Sequence, residues 1–221
     1  MKNIKGVIFD LDGTLLDSMW LWGDVAERYL KSHGATPRQG FREALRTLNT
    51  AEEAQYYIDE YGVDLPLEEV IAGRDGMMLE LLLSEVQLKT GVIQVLEALR
   101  VRGIKMCLAT ATDRWLVEPS LKHHGIAGYF EYVLTCTEEK TSKKSPDIFI
   151  RAAKLLGTAP SETLVVEDAL YAMETAKKSG FIVAGVYDKV SDDEQGKIKK
   201  LCDYYWVSLD EMLELHRAIG Y

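Results

Sequence analysis

Cysteine is scarce: three residues in 221, at 107, 136 and 202, with no CxxC spacing. That excludes a disulfide framework and a cysteine-based zinc site. Cys107 stands in an apolar run and is expected to be buried and reduced, which points to a cytoplasmic home. The four histidines, His33, His123, His124 and His216, show no metal-ligand spacing and are read as core or surface. An excess of basic charge is missing too. Lys and Arg number 26 against 35 Asp and Glu, and the net charge is −9, so a nucleic-acid partner, which requires a basic face, is not expected. No apolar stretch approaches the length of a membrane helix, and no membrane partner is expected. Met1-Lys2 leads straight into a strand-like run, so no signal peptide is expected. Internal repeats, low-complexity tracts and charge runs are absent. What remains is 47% hydrophobic and 28% charged, a globular composition with enough chain for one large domain or two small ones.

Five short runs read as buried parallel strands, at 6–9, 104–109, 132–135, 164–166 and 182–186, with a sixth at 204–207. Each is apolar or β-branched and bounded by turn signals. Helical patterns lie between them. One over 92–101 ends at Arg102-Gly103, a cation and then a capping glycine. One over 146–156 has Ser145 as N-cap and Pro146 at its first position. Another covers 169–179, and Pro119 starts or kinks the helix between 113 and 124. Alternation of this kind implies an α/β fold with a doubly wound parallel sheet. It is interrupted over 16–89, where the periodicity is helical throughout. There Thr50 and Glu53 read as a capping box opening a helix to residue 61, and Gly73 and Gly76 read as breaks. The expected organisation is a Rossmann-like core at 1–15 and 90–221 with an all-helical insertion at 16–89.

"FDLDGT" follows the first strand, with Asp10 and Asp12 two residues apart. Residues i and i+2 of an extended chain face the same way, so the two carboxylates can converge. Two bare carboxylates repel, and either a cation or a shared proton must compensate. Oxygen ligands of this kind suit Mg²⁺, and Gly13 permits a sharp turn after the pair. A calcium loop fails: the glycine is fourth rather than sixth, and Leu21 stands where the closing glutamate belongs. Three further signals sit just past other strands. Thr110 in "LATATD" offers a hydroxyl, with the amides after it, to an anion, unless Thr110 or Thr112 is simply an N-cap. Lys143 precedes a Ser-Pro helix start and by itself would be a solvated cation. Glu167 and Asp168 end a run with no polar residue in it. The carboxyl edge of a parallel sheet is where such folds bind ligands.

In this order and spacing the chain resembles the haloacid dehalogenase-like superfamily, in the branch with a helical cap after the first strand. DLDGT at 10–14, Thr110 after apolar residues, Lys143 in K-x-x-P-D and Glu167-Asp168 carry the resemblance. Within the superfamily it is similar to sugar-phosphate phosphatases and β-phosphoglucomutase. Dehalogenases of this fold lack the second aspartate, so Asp12 favours phosphoryl transfer.

The resemblance implies a role for each matched residue. Asp10 is the nucleophile that forms an aspartyl-phosphate, and Asp12 protonates the leaving group and then activates water. Mg²⁺ is held by the Asp10 carboxylate, the Asp12 backbone carbonyl and Asp168, with Glu167 fixing the metal's water. Thr110, the Ala111 amide and Lys143 cradle the phosphoryl oxygens. The chain departs from the family at Thr90-Gly91 (usually Pro-Gly), Lys143-Lys144 (usually Lys-Pro) and Ala169 (often Ser). Substrate choice is expected of the cap, with Ser18, Trp22 and Arg74 as candidate contacts, although core tryptophans and a solvated arginine are plainer readings. The expected activity is Mg²⁺-dependent hydrolysis of a small phosphorylated metabolite by a monomer or weak dimer. A phosphomutase is the first rival, weakened because Trp22 stands where β-phosphoglucomutase has a histidine and because the cap has no LxGxxR run. A non-catalytic sensor of a phosphorylated ligand is the second.

Overall fold

The structure is a computed structural model and describes residues 4–45 and 48–213; His216 lies outside the described residues. In chain order, β1 (Gly6–Phe9) is followed by four helices: α1 (Met19–Ser32), α2 (Phe41–Leu45), α3 (Thr50–Tyr61) and α4 (Leu67–Ser84). Strand and helix then alternate: α5 (Val92–Val101), β2 (Lys105–Thr110), α6 (Arg114–His123), β3 (Tyr132–Thr135) and α7 (Asp147–Leu156). The chain continues through β4 (Thr163–Glu167), α8 (Leu170–Lys178), β5 (Ile182–Val186), α9 (Gln195–Leu201) and β6 (Tyr204–Trp206). Contacts divide it into two units, 18–86 and the remainder. No helix among the described residues is long and apolar enough to cross a membrane.

The larger unit is a six-stranded sheet in the order β3-β2-β1-β4-β5-β6, with every neighbouring pair parallel. β1 and β4 are buried along their whole length, as central strands covered on both faces must be. α7, α8 and α9 bury Ile148, Phe149, Ala172, Ala176 and Ile198 in one cluster with Ile8, Cys107, Val165 and Val183 of the sheet. All three cysteines are free thiols, and burial pushes the Cys107 thiol up to about 12. Strand order reverses between β1 and β4, and at that switch point the connections diverge and open a crevice at the strands' carboxyl ends. Asp10 stands at one lip and Glu167-Asp168 at the other.

The helical unit has its own core, formed by Ala26, Tyr29, Leu30, Phe41, Ala54, Tyr57, Val63 and Val70. Three details differ from the sequence expectation. The cap of α3 is Asn49: its side-chain oxygen accepts from the Ala51 and Glu52 amides, and Glu52 accepts from the Asn49 amide. The capping box therefore lies one residue earlier than Thr50 and Glu53. α4 runs unbroken through Gly73 and Gly76; a Cβ on Gly73 would lie 2.9 Å from the Tyr29 hydroxyl, so that glycine lets the tyrosine pack close. The boundaries fall at 17/18 and 86/87, inside the expected 15/16 and 89/90, because the crossing segments pair with each other. The Asp17 amide donates to Gln87 O at 2.9 Å and the Lys89 amide to Leu15 O at 2.9 Å.

In the sheet unit the start of α7 moves, while α6 falls between 113 and 124 as expected, with Pro119 inside it rather than at its start. α7 begins at Asp147 with Pro146 as N-cap, because the Ser145 hydroxyl donates to the Asp147 carboxylate instead of capping the backbone. α6 begins at Arg114 after Asp113. Gly91, of the unusual Thr90-Gly91 pair, adopts φ 87° ahead of α5, and a Cβ there would meet the Asp210 amide nitrogen at 2.3 Å.

Candidate active site

β1 ends at Phe9, and the ladder continues one residue further: the Asp10 amide donates to Val166 O at 3.0 Å. Asp10 is thereby fixed beside the end of β4. The chain then turns at Gly13, φ 79°, and the Gly13 amide donates to Leu16 O at 2.9 Å. Asp10 and Asp12 are each only 8% exposed. Burying carboxylates is costly unless they are paired, and the partners come from other strand ends.

Lys143, itself 3% exposed, donates through Nζ to Asp10 Oδ1 and, at 2.6 Å, to Glu167 Oε1. Of the two adjacent lysines it is the buried one; Lys144 is exposed. Glu167 Oε2 accepts the amides of Asp168 and Ala169 at 2.9 and 3.0 Å. Asp168 Oδ1 accepts the Thr14 hydroxyl at 3.1 Å, and its main-chain oxygen accepts the Ser191 hydroxyl at 3.4 Å. The Asp12 carboxylate accepts the Thr112 hydroxyl on Oδ2 at 2.5 Å. Thr110, buried at the end of β2, takes the Thr112 amide on its hydroxyl at 3.1 Å, while Ala111 beside it is exposed.

Burial pushes the Asp10 carboxyl up to about 7 against the pull of Lys143. Burial, with Glu167 and Asp10 nearby, likewise holds Asp168 well above the ordinary carboxylate range. Burial disfavours the Lys143 ammonium, but Asp10 and Glu167 outweigh it and its proton is held more tightly than usual. Ligand atoms of Asp10, Glu167 and Asp168 lie within 4.8 Å of one another. Three buried carboxylates against the Lys143 ammonium leave an excess of negative charge, and an all-oxygen donor set of this kind fits a hard divalent cation. Both Glu167 oxygens are already engaged, by Lys143 and by two amides. The Asp12 carboxylate stands outside the triad, on Thr112.

The sequence pattern of the haloacid dehalogenase-like hydrolases matches residues 7–186. The chain belongs to that family. Among relatives of this hydrolase, YhcW of Bacillus subtilis (strain 168) is 30% identical over 189 residues, 85% of this chain and 86% of its own length. The fructose-1-phosphate phosphatase YqaB of Escherichia coli (strain K12) is 27% identical, covering 81% of this chain and 94% of its own. A phosphorylated carbohydrates phosphatase of Thermotoga maritima is 25% identical over 88% and 89% of the two chains. A solved Thermotoga maritima structure at 22% identity shares the fold, with a TM-score of 0.84 over 98% of this chain and 100% of that one.

In this haloacid dehalogenase-like hydrolase the sheet edge gathers Asp10, Asp12, Thr110, Lys143, Glu167 and Asp168. The three cap candidates belong to the helical unit. Ser18 is buried at the N-cap of α1 without a side-chain cap bond. Trp22 is half-buried and lines a hollow of about 290 Å³ with Gly23, Arg42 and Glu53. Arg74 pairs within its unit, with Glu53 at 3.4 Å and Asp75 at 3.2 Å, so it is not the solvated arginine of the plainer reading. Thr14 and Ser191 are not among the residues the sequence pattern singles out, and Thr112 enters there only as an alternative N-cap to Thr110. Thr14 is part of DLDGT itself; Thr112 has the same two-residue spacing from Thr110 that Asp12 has from Asp10.

Proposed function

We propose that this hydrolase is a Mg²⁺-dependent phosphatase that cleaves a small phosphorylated metabolite, a sugar phosphate, through an aspartyl-phosphate at Asp10. The observation that carries it is the convergence of Asp10, Lys143, Glu167 and Asp168 at the switch point of the sheet. The carbohydrate- and fructose-phosphate phosphatases among its relatives support the substrate class. Asp10, Asp168 and the Asp12 carbonyl would hold the cation, and Glu167, bonded on both oxygens, would keep the loop and Lys143 in place. Mg²⁺, when bound, supplies neutralisation between an anionic nucleophile and an anionic phosphate.

The chain's own residues do the rest. Asp10 attacks phosphorus, and Lys143 both steers its carboxylate and offers positive charge to the phosphoryl oxygens. The Thr110 hydroxyl and the Ala111 amide complete that cradle. Asp12 gives a proton to the departing oxygen, then takes one from the water that opens the aspartyl-phosphate. Substrate choice is assigned to the helical unit, with Trp22 and Ser18 as its contacts. Arg74, engaged by Glu53 and Asp75, would bind an anionic substrate group only by giving up those partners. Free thiols accord with a cytoplasmic location.

Release of inorganic phosphate from 4-nitrophenyl phosphate with Mg²⁺ tests the reading. Excess chelator should abolish turnover, and Asp10→Asn should lower it by at least about 10³-fold. Phosphate release from a hexose phosphate without isomerisation distinguishes hydrolysis from a mutase. Tight phosphate-ester binding with no turnover would instead mark a sensor and end the proposal.

A further inference from the structure

We propose that Lys89 is a positioning residue for the cation site: it ties the loop after β1 to the loop after β5 across the end of β4, and so fixes the walls that hold Asp168. This rests on reading Asp168 as a ligand of the divalent cation.

Strand order places β4 between β1 and β5, so the chains leaving the two flanking strands stand two strand spacings apart, about 10 Å. Lys89 joins them. Its amide donates to Leu15 O at 2.9 Å, in the loop after β1. Its Nζ donates to Tyr187 O at 2.7 Å and to Asp188 Oδ2 at 2.8 Å, just past β5. The two side chains of this ion pair are 14% and 6% exposed. Asp188 is fixed in turn by its own loop. Its Oδ1 accepts the Val190 amide at 2.9 Å, and its main-chain oxygen accepts the Ser191 amide at 3.1 Å.

Asp168 lies between these two walls and touches each. Its Oδ1 accepts the hydroxyl of Thr14, the residue before Leu15, and its main-chain oxygen accepts the hydroxyl of Ser191, in the loop that Asp188 anchors. The bonds close a ring through Leu15, Lys89, Asp188, Ser191, Asp168 and Thr14. A buried ion pair is a weak source of stability; this one stands where it sets a distance. Without the Lys89 ammonium the loop after β5 loses its tie to the loop after β1, and Asp168 loses its fixed place relative to Asp10. The two common hard cations respond differently to such a loss. Mg²⁺ demands near-ideal octahedral geometry, whereas Ca²⁺ tolerates a larger and irregular set of oxygens. A loosened Asp168 therefore penalises Mg²⁺ more than Ca²⁺. Charge alone predicts the opposite sign, since removing a cation near the site should tighten any divalent ion.

The test measures dissociation constants for Mg²⁺ and for Ca²⁺ on the full chain by titration calorimetry, at constant pH and without substrate. Lys89→Met keeps an aliphatic stem and removes the ammonium. It should weaken Mg²⁺ binding by about 10- to 100-fold, the usual effect of losing a group that orients a metal ligand, and Ca²⁺ binding by less than about threefold. A merely structural role would lower the melting temperature and leave both constants unchanged, and a pure charge effect would tighten both ions. Either result, or equal weakening of the two ions, would overturn the assignment. Asp168→Asn separates this inference from the reading beneath it. If the wild type takes up neither ion, or Asp168→Asn binds both as the wild type does, Asp168 is not a ligand and both claims fall. If Asp168→Asn loses Mg²⁺ while Lys89→Met keeps it, only Lys89 loses its role. Should Lys89→Met fail to melt cooperatively, Asp188→Asn loosens the same tie with the ammonium kept. It should again weaken Mg²⁺ more than Ca²⁺, and an equal effect on the two ions would overturn the assignment.

Discussion

In the sheet unit, Asp10, Lys143, Glu167 and Asp168 are all more than nine-tenths buried and bonded to one another. In the helical unit the ion pairs Arg28–Glu85 and Arg38–Glu60 have side chains between 36% and 68% exposed. Exposed pairs of that sort contribute about 0–1 kcal/mol. Breaking a buried pair by removing one partner costs about 3–5 kcal/mol, because a charge is left buried without compensation. The buried cluster is a poor way to gain stability. Its place at the carboxyl ends of adjacent central strands suits it to bind charge instead, whereas the helical unit is held by apolar and aromatic packing, such as Phe41 against Tyr61 with centroids 5.5 Å apart.

The contrast is sharpest against pH. Asp10 is raised to about 7 and Asp168 is raised well above the usual range. A raised carboxyl stabilises the fold while protonated, fully so below its unfolded value of 3.8. That contribution is lost as pH rises toward about 7. The metal-free protein should therefore melt lower at pH 7.5 than its surface charges alone would predict. Added Mg²⁺ should raise the melting temperature at pH 7.5 and much less at pH 5, and its apparent affinity should strengthen about tenfold per pH unit for each proton displaced. Equal shifts at both pH values would mean that these carboxylates do not take up the ion.

A smaller effect tests backbone constraint in the sheet unit. Gly91→Ala places a Cβ against the Asp210 amide at a positive φ, and should cost about 2–4 kcal/mol in denaturant unfolding. The smallest effects belong to α4. Gly76 has nothing within 4 Å of an added Cβ, so Gly76→Ala should stabilise by about 0.5–1 kcal/mol. Gly73→Ala should do the reverse, because Tyr29 occupies the space. If both alanines stabilise alike, the tyrosine contact is not what keeps Gly73 a glycine.

The strands at 6–9, 132–135 and 182–186 coincide with β1, β3 and β5, because buried parallel strands are short apolar runs with sharp ends. The same clarity made the polar residues just beyond them readable. Helix starts were harder. Asn49-x-x-Glu52 and Thr50-x-x-Glu53 fit a capping box equally well, and only the bonded geometry chooses between them. Thr112 was hidden for a related reason. Its partner is 100 residues away, and the pairing depends on β2 lying beside β1 in a register with Phe9 opposite Leu108. Gly73 misled because a missing Cβ looks the same in sequence whether it ends a helix or admits a neighbour.

The paired segments at the base of the helical insertion bear on how such a chain can diversify. Leu16 bridges Leu88 in antiparallel fashion, so the departing and returning chain meet at a closed stem. Whatever is grafted above that stem, longer, shorter or differently folded, leaves the span the sheet must bridge unchanged. The inserted unit can then be exchanged as a cassette while Asp10 keeps its seat.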